Sequence, residues 1–132
     1  MPAVLRLDSA DWNDLERLHP WLDGETAHLP SRIRHAMQVA LEEAVLNVAT
    51  HAFPTGTSGE IAVSLHAAPD AVALIVEDPG PAFDPTAAPA PARPTALEPG
   101  GLGITLLRHY CKHISYDRAG EHNRLTLRFP LV

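Results

Sequence analysis

Apolar residues in this chain recur at two spacings, and the switches between them mark its elements. Residues 4–7 alternate as a short first strand. Ser9, Asp11 or Asn13 each offer a capping oxygen to a helix running through Trp12, Leu15 and Leu18, which Pro20 breaks or ends. Pro30-Ser31 then opens the longest helical pattern, reaching to about Ala52. Along it Ile33, Met37, Leu41, Ala44, Val45 and Val48 return at helical spacing, and Pro54, Gly56 and Gly59 stop it. Residues 60–65 put Ile61, Val63 and Leu65 on one face of a strand. Residues 71–76 are apolar almost throughout, as in a central strand, with Pro69-Asp70 as the turn between the two. Residues 102–110 return to helix, and residues 114–117 and 124–131 form two closing strands with Gly120 at their turn. Strands grouped in pairs, rather than alternating with helices, predict an α+β fold. Its two layers are a mixed, mostly antiparallel sheet and helices on one face.

Composition narrows the setting. A chain of 132 residues suits one domain over 1–132. With a net charge of -6 and no Lys/Arg run, a nucleic-acid-binding face is not expected. Cys111 is the only cysteine, so no internal disulfide forms and a reducing, cytoplasmic compartment fits. The N-terminal stretch meets acidic residues too soon for a signal peptide, and no apolar run is long enough to span a membrane. Seven of the thirteen prolines fall between residues 79 and 99, which predicts an irregular loop. A loop that long in a compact domain is functional or disordered.

Three separate segments carry candidate chemistry. In the long helix, Asn47 and His51 lie about 40° and 80° round from Glu43, so the three share one stripe. Glu42 points about 140° away from Asn47 and is expected to face water. An amide oxygen suits Mg²⁺, and a carboxylate one turn away can take a proton from an attacking hydroxyl. A solvated helix edge with an i,i+4 pair is the plainer alternative. Asp78 emerges at a strand end, where a carboxylate can accept from an exocyclic amine. Gly80 lets backbone approach a flat ring, and Phe83 can wall a pocket. A simple turn Asp followed by a turn Gly explains the same residues. Gly100-Gly101-Leu102-Gly103 opens a helix, where unpaired N–H groups and the positive dipole end favour phosphate. His109-Tyr-Cys111-Lys-His113 is no zinc site on a helix, because Cys111 points away from the two histidines. Trp12 and Trp21 read as packing residues or as part of a partner surface.

Taken together, Glu43-x-x-x-Asn47-x-x-x-His51, Asp78-x-Gly80-x-x-Phe83-Asp84-Pro85 and Gly100-Gly-Leu-Gly-Ile104 resemble the nucleotide-binding boxes of the GHKL ATPase superfamily. The resemblance is to its anti-sigma-factor serine/threonine kinases and extends to the final Asn123-Arg-Leu-Thr-Leu. It implies the GHKL, or Bergerat, ATP-binding fold with a lid at about 85–99. It also implies ATP or ADP with Mg²⁺ as cofactors. By resemblance, Asn47 holds Mg²⁺, Glu43 is the catalytic base, and Asp78 contacts adenine. Gly80, Phe83, Gly100, Gly101, Leu102 and Gly103 surround the nucleotide, His51 lies near its phosphates, and Thr126 reaches adenine through Asp78 or a water. The implied activity is phosphorylation of a serine or threonine on a small STAS-type antagonist protein, in a partner-switching system. A sigma factor and a second copy of the chain are further implied partners. Arg93 is the only basic residue of the lid. A transferring phosphoryl group would find few neutralising charges there. That keeps a second reading open, a nucleotide-binding module that controls partner binding without phosphotransfer.

Overall fold

The computed structural model describes residues 2–51, 53, 59–84, 86, 107–111 and 113–131, with His51 described by its backbone alone. Strand β1 (Ala3–Asp8) leads into α1 (Trp12–Leu15), α2 (Leu18–Glu25) and the long α3 (Ser31–His51). The hairpin β2 (Glu60–Ala67) and β3 (Ala71–Asp78) follows, and later the hairpin β4 (His113–Ala119) and β5 (His122–Pro130). Residues 107–110 are helical. The five strands form one sheet in the order β1-β2-β3-β5-β4. The α+β class holds, and every pairing in the sheet is antiparallel.

Asp11 is the cap among the three candidates. Its side chain accepts from the backbone N–H groups of Asn13 and Asp14, while Ser9 instead pairs with Gly59 and pins the start of β2. Pro20 does not break a helix. The chain turns at Glu16-Arg17, and Pro20 is the third residue of α2. A first-turn position has no intrahelical partner for its N–H, so proline is tolerated there. All six apolar positions read from the α3 pattern are buried.

Alternation in the strands builds the other half of the core. Leu74 and Val76 of β3, with Leu125, Leu127 and Phe129 of β5, point to the helices. The opposite positions Ala73, Ile75 and Glu77 are only partly covered. The apolar run of β3 therefore reflects its central place in the sheet more than burial on both faces. Between β4 and β5, Ala119 pairs with His122, which leaves the two-residue turn Gly120-Glu121. Gly120 has φ +63°, and no described non-glycine residue has positive φ. That combination is the type II′ hairpin turn, with glycine at its first central position.

Candidate functional site

The helical stripe, the end of β3 and the beginning of β5 meet at one small cavity. Ala44, Asn47 and Val48 come from α3, Val76 and Asp78 from β3, and Phe83 from the loop that leaves β3. Tyr116, Asn123 and Leu125 close it from β4 and β5. Its volume is about 10 Å³, room for roughly one water.

Two side chains in this cavity have polar atoms with no hydrogen bond among the described residues. Asp78 is 2% exposed. Its Oδ1 accepts from Gly80 N at 2.9 Å and from Asn123 Nδ2 at 3.0 Å. Its Oδ2 has no hydrogen bond among the described residues. Asp78 is thus a turn-forming residue with one oxygen and a potential ligand group with the other. Asn47, 8% exposed, makes no side-chain hydrogen bond to any described residue. Its amide is therefore available to a ligand that enters the cavity, as both acceptor and donor.

Glu43 lies one turn before Asn47 and is half-buried, beside the cavity rather than among its walls. Burial raises its carboxyl above the ordinary range, and the neighbouring Glu42 carboxylate raises it further. Glu42 does not simply face water. Its side chain is 47% exposed, and its Oε2 lies 3.4 Å from Nε2 of His19 on α2. Nδ1 of the same imidazole pairs with Gln38 Oε1, which ties α2 to α3.

Asn123 is the residue that the motif reading missed. It is 4% exposed. Its Nδ2 donates to Asp78 Oδ1 and, at 2.8 Å, to Pro81 O. Its Oδ1 accepts from Phe83 N, Tyr116 Oη and Arg118 Nη1 at 3.1, 2.6 and 3.1 Å. Arg118 Nη1 also donates to Gly80 O at 2.6 Å. One side chain thus fixes the path of the chain from Asp78 to Phe83. A signal for it was present, because Asn123 shares the inward row of Leu125, Leu127 and Phe129, where a polar residue needs a reason.

Thr126 is not brought to this cavity. It pairs with Ile75 across the ladder and sits on the row facing away from the helices, whereas Asp78 pairs with Asn123. Strand alternation thus puts a sheet between the Thr126 side chain and the cavity. Gly80 is buried in the same loop as Asp78. The side chain of His51, the glycine turn Gly100, Gly101, Leu102 and Gly103, and most of the lid lie outside the described residues. At the ends of that stretch, Thr86 N and Oγ1 bond Asp84 Oδ1, and Arg108 Nη2 donates to Thr86 O at 3.0 Å. Cys111 is buried, with its thiol toward the carbonyls of His113 and Arg128, and burial pushes its pKa up. Among the described residues no helix is long and apolar enough to cross a membrane.

A family of histidine kinase-like ATPase domains matches residues 12–129, nearly the whole chain. This chain belongs to that family. It is also similar to the serine/threonine-protein kinase BtrW of Bordetella bronchiseptica, with 36% identity over 100 residues. That stretch covers 74% of this chain and 70% of BtrW. A histidine kinase-like ATPase domain implies ATP as ligand, and the donor set here fits one. An open carboxylate oxygen and an unpartnered amide face one cavity whose remaining walls include Val76, Leu125, Val48 and Phe83.

Proposed function

We propose that this protein is an ATP-binding serine/threonine protein kinase of the anti-sigma type. The observation that carries the reading is the convergence of the open Asp78 oxygen and the unpartnered Asn47 amide on one cavity, with Glu43 a helical turn away. In this reading Asp78 Oδ2 accepts from the exocyclic amine of adenine, and apolar walls flank the ring. Asn47 is the ligand for Mg²⁺, while Gly100, Gly101, Leu102, Gly103 and His51 are the phosphate-side residues. ATP with Mg²⁺ supplies the transferable phosphoryl group and its counter-charge. Glu43 would take the proton of the attacking serine or threonine hydroxyl as that oxygen bonds to the γ-phosphorus, with the bond from phosphorus to the bridging oxygen breaking and ADP leaving. The raised pKa of Glu43 makes it a stronger base than an ordinary carboxylate. The substrate is a small STAS-type antagonist protein, in a cytoplasmic partner-switching system that also engages a sigma factor. The similarity to a relative named as a serine/threonine-protein kinase supports the transfer step.

Glu43→Gln tests it. The variant is expected to keep nucleotide binding while losing phosphate transfer to the antagonist, read by mass spectrometry of the antagonist after incubation with Mg-ATP. Undiminished transfer would remove Glu43 from the mechanism. A second reading, nucleotide-controlled partner binding without transfer, draws on the lid, whose only basic residue is Arg93. It predicts that the wild type leaves the antagonist unmodified while ATP alters their affinity.

A further inference from the structure

A second cavity, of about 300 Å³, opens at the other end of α3. Its rim carries Arg32 from the first turn of α3, His109 and His113 on either side of Cys111, and Arg128 from β5. Buried Ile33 and Phe129 form its apolar floor, and Ala36, Tyr110 and Pro130 complete the lining. Arg32 precedes Asn47 by fifteen residues in one helix, a separation of roughly 22 Å. The cavity is therefore distinct from the candidate nucleotide site.

Three observations point to an anionic ligand. The chain carries a net charge of -6, yet this rim gathers two arginines and two histidines. The carboxylate paired with them is that of Asp70, 3.5 Å from Arg128 Nη2 and largely exposed. Arg32 is alone among the described arginines in making no hydrogen bond or ion pair. Arg6, Arg17, Arg34 and Arg124 pair with carboxylates, and Arg108 and Arg118 with backbone carbonyls. The volume and the mixed lining are also those of a small-molecule pocket, apolar below with a few converging polar groups.

We propose that this cavity binds a small organic anion, with an apolar body of about one ring and a carboxylate or phosphate head. The guanidinium forks of Arg32 and Arg128 match either head group, and each imidazole carries an N–H donor. The floor of Ile33 and Phe129 removes the apolar body from water.

Benzoate and phenyl phosphate are suitable probes, with benzamide as the uncharged counterpart. They are titrated into the full-length, isotope-labelled protein and followed by amide chemical shifts. The expected result is saturable binding of at least one anion, with shifts clustered at Ile33, Ala36, Tyr110 and Phe129. Binding should weaken at least fivefold in Arg32→Gln. That substitution removes no hydrogen bond or ion pair among the described residues, and an unchanged dispersion of the amide spectrum confirms that the fold is retained. Comparing the two anions identifies the head group. Failure of both anions to saturate, an equal response to benzamide, or undiminished binding by Arg32→Gln would overturn the proposal.

Discussion

Asn123 Nδ2 donates to Asp78 Oδ1 over 3.0 Å, between two residues that face each other across the β3–β5 ladder. This bond commits one carboxylate oxygen to the protein and leaves the other toward the cavity. Asn123→Ala would strand the hydroxyl of Tyr116, remove the acceptor of Phe83 N and loosen Asp78. A loss of about 1–3 kcal/mol in urea unfolding is expected, since unpaired buried groups carry their desolvation cost. Nucleotide affinity should fall with it. An unchanged unfolding midpoint would show that the hub is dispensable.

Asp78→Asn separates binding from folding at the same position. The remaining amide oxygen can still accept from Gly80 and Asn123, while the group facing the cavity becomes a donor. Wild-type protein should gain about 2.7 kcal/mol of stability from ATP at 100 times its dissociation constant. The variant should show little of that gain in a thermal-shift titration. No shift in the wild type would remove the nucleotide reading.

Glu42→Gln should move the acid limb of the transfer-rate profile to lower pH. Glu43 must be deprotonated to act as a base, and its pKa is raised first by burial and then by the Glu42 charge. Removing that charge leaves the burial effect alone. The linked stability has a definite sign as well. The folded state holds the Glu43 proton more tightly than the unfolded chain does. The stability this confers is present below the unfolded pKa and is lost as pH rises through the folded one. A pH–rate comparison of the two proteins tests the effect, and coincident profiles would exclude electrostatic tuning by Glu42.

Gly120→Ala should cost about 1–2 kcal/mol, because an L-residue at φ +63° pays a left-handed backbone penalty. A Cβ there would meet no neighbouring atom within 4 Å, so the cost is conformational. Equal urea midpoints for the two proteins would mean that the turn re-forms in another geometry.

Periodicity located the elements because burial here follows simple geometry. The α3 stripe is buried where the pattern put it, as are Ile61 and Val63 of β2, while Leu65 on the same face is only partly covered. It failed at Pro20, where composition signals a break but position within the first turn decides the outcome. Motif spacing indicated Asp78 and Asn47, which the fold brings to one cavity. Spacing could not show that Asn123, 45 residues beyond Asp78, completes its hydrogen bonds, since that depends on strand register. Nor could it show that Thr126 lies on the opposite row, which a count of residues from the Gly120 turn settles only once the inward row is known.

The bond from Arg108 to the carbonyl of Thr86 joins positions 22 residues apart. The chain just past the cavity wall at Phe83 is thereby anchored to the helical turn at residues 107–110, so a change on that turn is felt at the approach to the cavity.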